Sequence, residues 1–92
     1  MTNDPYLDLI NENWEHILGM YRLFADKKPI MLYDLQEQRI YAYSYREFKA
    51  EMNPRSQQVL TEQYEDALVK NQMVVFVRDN EERKLISYSI PL

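Results

Sequence analysis

A chain of ninety-two residues with one glycine, Gly19, has few ways to turn a corner or to bring its backbone close to a ligand. Phosphate-binding loops and dinucleotide fingerprints need several glycines for close backbone approach, so both are excluded. Turns must be built instead from Asn, Asp and Pro, which tolerate or pre-set turn dihedrals. Cysteine is also absent, which removes disulfides, thiolate nucleophiles and thiolate metal sites.

Periodicity and punctuation give the expected elements. Leu7, Ile10, Trp14, Ile17, Tyr21 and Phe24 recur at steps of three and four, which predicts one helix from about Asp4 to Lys27. Asp4 suits its N-cap, Pro5 its first position, and Pro29 its stop. Residues 29–35 and 39–43 are rich in β-branched and aromatic side chains and read as a hairpin. Ser44-Tyr45-Arg46-Glu47 is a capping box, with Tyr43 and Phe48 placed as a hydrophobic staple, so a short helix is expected from Tyr45 to Met52. Asn53-Pro54 opens a further helix ending near Asn71, with Asp66 and Lys70 paired one turn apart. Met73–Val77 is a strand apolar on both sides, as a central strand would be. Lys84–Ile90 is the last strand, ended by Pro91.

The expected class is α+β in the order α-β-β-α-α-β-β, with a four-stranded antiparallel sheet and the helices packed on one face. Residues 1–92 form a single domain, without repeats or linkers. A composition of 46% hydrophobic and 28% charged residues is that of a globular protein. No apolar run reaches eighteen residues, so no membrane span is expected. Residues 1–7 lack the basic start and apolar run of a signal peptide, which points to the cytoplasm.

The net charge of −4 lies wholly in residues 1–26; the remainder carries ten acids and ten bases. Without a basic stripe the chain is a poor candidate for gripping nucleic acid. Asp4, Asp8, Glu12 and Glu15, at steps of four, four and three, share a strip of a continuous helix. They form either a negative ridge for a basic partner protein or a divalent cation, although carboxylates along one helix cannot by themselves enclose an ion, or a solvated face whose first acids favour the helix dipole. Leu9, Met20 and Leu23 give the same helix a second apolar side, to be covered by another helix or by another chain. His16, the only histidine, reads as a partly exposed helix residue.

Tyrosine occurs eight times. Residues two apart in a strand point the same way, so Tyr33, Tyr41 and Tyr43 are expected on one sheet face, opposite Ile30, Leu32, Ile40 and Ala42. That face serves recognition or stabilises the hairpin through cross-strand pairs. In the last strand Ser87 and Ser89 are expected to face solvent, and Ile86 and Ile90 the core.

No nucleophile with a base and an orienting group is visible, and neither a cofactor nor a metal site is expected. The leading expectation is a non-catalytic regulator or adaptor that binds another protein through the first helix and the tyrosine face. A second copy of the chain, forming a homodimer, is one candidate partner. Two alternatives stand beside it: an acidic neutralising protein of immunity or antitoxin type that binds a basic enzyme, and a small-ligand-binding or enzyme-subunit domain.

Overall fold

The computed structural model describes residues 3–92. Its elements are α1 (Pro5–Glu12), α2 (Trp14–Leu23), β1 (Ile30–Asp34), β2 (Arg39–Tyr43), α3 (Tyr45–Ala50), α4 (Pro54–Lys70), β3 (Gln72–Asp79) and β4 (Lys84–Pro91). A single 3₁₀ turn, Ala25–Lys27, links α2 to β1. The α+β class and the order of helices and hairpins follow the sequence reading. Among the described residues, no helix is long and apolar enough to cross a membrane.

The first helix is broken where the sequence reading made it continuous. Asn13 takes φ −106° and ψ 13°, ends α1 and starts α2. Its side-chain amide donates to the Leu9 carbonyl at 2.8 Å. This is the local competition that makes Asn a weak helix former, and apolar spacing carries no trace of it. The other punctuation acts as expected. Ser44 accepts from the Glu47 amide at 3.1 Å while the Glu47 carboxylate accepts from the Ser44 amide at 3.3 Å. Tyr43 and Phe48 close the staple with ring centroids 5.6 Å apart. Asp4 and Asn53 each cap the helix that follows.

The sheet runs β2-β1-β3-β4. Both hairpins are antiparallel, but β1 and β3 are parallel, with Met31 opposite Val75 and Tyr33 opposite Val77. The sheet is therefore mixed, not wholly antiparallel. The two most apolar strands take the centre. Each follows directly on a helix pair and runs the same way, so they meet in parallel, and each sends its more polar hairpin partner outward.

The helices do not share one face either. Ile10, Ile17 and Tyr21 of α1 and α2 pack on Met31, Tyr33, Met73, Val75 and Val77. Leu60 and Ala67 of α4, with Phe48 of α3 beside them, pack on Ile30, Leu32, Val74 and Phe76 on the other side. A strand apolar on both sides must be covered on both sides, because uncovered Val or Phe would forfeit ~25 cal/mol per Å² of burial. Each half of the chain is thus two helices and a hairpin, one half clothing each face.

Candidate functional site

The hairpin register decides where the tyrosines go. Four residues, 35–38, separate β1 from β2, and Tyr33 pairs with Ile40 while Leu32 pairs with Tyr41. Odd-numbered residues of β1 thus share a face with even-numbered residues of β2. Tyr33 is 6% exposed in the α1/α2 core, beside Met31, Ile40 and Ala42. Tyr41 and Tyr43 lie on the α3/α4 face with Ile30 and Leu32, their rings 5.9 Å apart. The expected common face of Tyr33, Tyr41 and Tyr43 is therefore corrected, as is the grouping of Ile30 and Leu32 with Ile40 and Ala42.

Tyrosine hydroxyls here mostly tie elements together. Tyr6 donates to Asp79 at 2.7 Å, Tyr88 to Asp4 at 2.6 Å, Tyr64 to the Lys28 carbonyl at 2.7 Å and Tyr41 to Glu37 at 2.7 Å. The hydrogen bond to Asp79, helped by burial, pushes the Tyr6 phenol up to about 12. Burial and the bond to Asp4 push Tyr88 up as well.

The acidic ladder is not a continuous ridge. Asp4 caps α1, accepting from the Tyr6 and Leu7 amides as well as from Tyr88, and these bonds hold its carboxyl below the usual range. Asp8 is half-buried on α1, Glu12 is exposed at its last residue, and Glu15 lies exposed beyond the break at Asn13. His16 is exposed, as expected. The second apolar side of the first helix also dissolves. Leu9 and Met20 pack against the chain's own α1/α2 core, and only Leu23 stands out, 72% exposed.

Two buried carboxylates lie at the carboxyl ends of the parallel strands, where the sequence reading singled out no residue. Asp34 accepts from the Glu37 amide at 2.9 Å and from Arg78 Nε at 2.6 Å. Burial pushes its carboxyl up, but these donors outweigh that effect and hold it below the usual range. Asp79 accepts from Tyr6, from Gln36 Nε2 at 2.9 Å and from the Glu82 amide at 3.3 Å, and is likewise held low, chiefly by Tyr6. Both carboxylates bind the amide three residues on, so each organises its own hairpin turn. The repeated spacing Asp34-x-x-Glu37 and Asp79-x-x-Glu82 was the available sequence signal. Every donor these carboxylates meet is a structural partner. Among the described residues, no group of three or more His, Cys, Asp or Glu is placed to hold a metal ion.

Among the described residues, what stands open is the outer edge of β4. The strand pairs with β3 in unbroken register from Gln72 opposite Pro91 to Asp79 opposite Lys84, and the sheet ends there. An edge strand presents a row of unpaired backbone donors and acceptors, and proteins usually blunt it with charge, proline, a bulge or short length. The other edge, β2, has five residues and begins with Arg39, whose guanidinium lies over the Tyr41 ring. β4 has eight residues, and Leu85–Ile90 carry neither charge nor proline. Tyr88 and Ile90 pack toward the α1/α2 core, and Ile86, opposite Val77, falls on the same face of the strand. Ser87 and Ser89 face α4 instead of open solvent: Ser87 donates to Gln63 Oε1 at 2.9 Å and Gln63 Nε2 donates to Ser89 at 3.3 Å.

Beside this edge lies a groove of about 360 Å³ between α4 and the sheet, lined by Met52, Ser56, Val59, Gln63, Leu85 and Ser87. It meets a smaller cavity of about 210 Å³ under α3, where Arg78 lies among Leu32, Phe48 and Leu85. The smaller space falls below the ~300 Å³ at which small-molecule sites begin. Val59 is 61% and Leu85 47% exposed on the groove's rim. Comparison with protein-family models, curated proteins and solved structures found no match to this chain.

Proposed function

We propose that this chain is a non-catalytic protein-binding module, a regulator or adaptor, whose receiving element is the outer edge of β4. The observation that carries the reading is the edge itself: six consecutive uncharged residues, Leu85–Ile90, unbulged, with Leu85 exposed and the exposed Val59 beside them. An extended segment of another polypeptide would add there as a fifth strand. Main-chain hydrogen bonds would supply affinity, and an apolar side chain seated between Val59 and Leu85 would supply selectivity. The neutralising-protein alternative has less support, because Asp4 is engaged as a cap and Glu15 is separated from the other acids by Asn13.

Two baits test the proposal: the wild-type chain, and Ser87→Lys with Ser89→Lys, which sets two ammonium groups along the edge. The expected result is a protein held by the wild type and lost by the variant, whose binding slows hydrogen exchange at the amides of β4. Identical protein sets on both baits, or protection confined to another element, would overturn it.

A further inference from the structure

The β4 edge reads the same in both directions. Ile86-Ser87-Tyr88-Ser89-Ile90 is a palindrome centred on Tyr88. We propose that the partner of this edge is a second copy of the chain, joined by antiparallel β4–β4 pairing across a two-fold axis at Tyr88, so that two four-stranded sheets become one of eight. The proposal rests on the edge reading above and names its occupant.

Two-fold symmetry fixes the pairing rule. In an antiparallel pair related by a dyad, residue i faces residue j of the partner and j faces i, with a constant sum. Opposite residues also point to the same side of the sheet, so only registers that pair odd with odd and even with even join like faces. Centring on Tyr88 sets Tyr88 opposite Tyr88, Ile86 opposite Ile90 and Ser87 opposite Ser89. Every position between Ile86 and Ile90 then meets its own kind. The Ile and Tyr pairs fall on the face whose Tyr88 and Ile90 pack against the α1/α2 core, with Ile86 opposite Val77 on that same face, and the serines fall on the α4 side. These are the aromatic, aliphatic and hydroxyl cross-strand pairs that stabilise a sheet.

The flanking residues agree. Leu85 falls opposite Pro91, at the strand end, where the missing proline N–H breaks least of the ladder. Lys84 falls opposite Leu92, so no ammonium faces another. Centring two residues' sum lower, on Ser87, would place Lys84 against Ile90 and Ile86 against Tyr88. Centring on Ser89 would place Ser87 against Pro91 and Tyr88 against Ile90. Val59 and Leu85, exposed beside the edge, lie where a second α4 and a second β4 would cover them.

The chain has no cysteine, so engineered thiols report the register without background. Disulfides require Cα atoms within ~7 Å, and directly opposite residues are ~4.5–5.5 Å apart. In the Tyr88-centred register Ser87 faces Ser89, whereas Ser87 lies ~8 Å from its own copy, two residues along the strand. Ser87→Cys mixed with Ser89→Cys is therefore expected to cross-link under mild oxidation at least ~10-fold faster than either variant alone, as that distance limit demands. Sedimentation equilibrium from ~1 to ~200 μM, a span bracketing micromolar affinities, should show the wild type reaching dimer mass. Ser87→Lys with Ser89→Lys sets ammonium opposite ammonium and should weaken the dimer ~10-fold or more, whereas Ser87→Lys with Ser89→Glu sets opposite charges face to face and should restore it.

Circular dichroism on each variant checks that the monomer fold persists. A wild type that stays monomeric at ~200 μM, well above micromolar dissociation constants, would overturn self-pairing. So would cross-linking of Ser87→Cys alone as fast as the mixture, or a doubly lysine-substituted dimer as tight as the wild type. A monomeric wild type that still binds another protein along β4 in the two-bait experiment would leave the edge reading standing. Failure of both would remove both.

Discussion

Replacing Asp34 by alanine tests whether the buried carboxylate at the end of β1 holds the two hairpins together. Asp34 is fully buried and joins the β1–β2 turn, through the Glu37 amide, to β3, through Arg78. The turn bond is an ordinary one, worth ~1 kcal/mol net, and the Arg78 bond is charge-assisted, worth ~1.5–3 kcal/mol. Removing one partner of a fully buried ion pair costs ~3–5 kcal/mol, but the Arg78 side chain is 37% exposed and can turn its guanidinium to water, which lowers that figure. Asp34→Ala should therefore cost about 2–4 kcal/mol. At this chain length that is a fall of roughly 10–25 °C in melting temperature, read by circular dichroism. Asp34→Asn keeps the shape and one acceptor and should lose less. The pH dependence has a definite sign. The folded carboxyl is held below its unfolded value near 3.9, so its contribution is complete above that value and disappears as pH falls through the folded one. The gap between wild type and Asp34→Asn should therefore close as pH drops below about 4. A loss under ~0.5 kcal/mol for Asp34→Ala, within the range of ordinary surface changes, would refute the role. A gap that widens in acid would refute it as well.

Tyr33 and Tyr41 separate the two hairpin registers: Tyr33→Ala should cost ~3–5 kcal/mol by opening the α1/α2 core, while Tyr41→Ala loses clearly less, and equal losses in urea titration would contradict the observed pairing. Ser44→Ala should lose ~1 kcal/mol and Ser44→Asp should be nearly neutral in the same titration, because an N-cap needs a side-chain acceptor. Gly19 lies exposed inside α2 with open space where a Cβ would sit, so Gly19→Ala should raise stability by ~0.5–1 kcal/mol. Arg83 sits at φ 55°, and Arg83→Gly should gain up to ~1 kcal/mol by relieving a left-handed side chain, with an unchanged or lower melting temperature counting against it.

Part of the candidate site was legible in the residues and part was hidden by parity. The alternation of Leu85–Ile90 placed the isoleucines toward the core; the structure packs Ile90 there and sets Ile86 on the same face, opposite Val77. The same alternation sent the serines to solvent because helices were expected on one face only. Met73–Val77 already argued against that, since a strand apolar on both sides needs two covers. The tyrosine face failed for a narrower reason: a four-residue turn swaps odd and even positions across the hairpin, and composition does not fix where the turn begins. The ends of β4 and its uncharged run are visible in the sequence. That the run forms an edge depended on strand order.

The division follows the range of the forces involved. Caps, staples, proline stops and helix periodicity act within about one turn, so Asp4, Ser44, Asn53 and Pro29 determined the helix starts and the first strand's approach by themselves. The single glycine determined that the left-handed positions would fall to other residues, and Lys28, Gln38, Asn71 and Arg83 hold them. Tertiary structure alone decided that β1 and β3 lie in parallel at the centre, that Asp34 reaches Arg78 across forty-four positions, and that β4 is left at the rim. Those outcomes come from burying two apolar strands between two helix layers. That free energy belongs to the assembled sheet and to no segment of it.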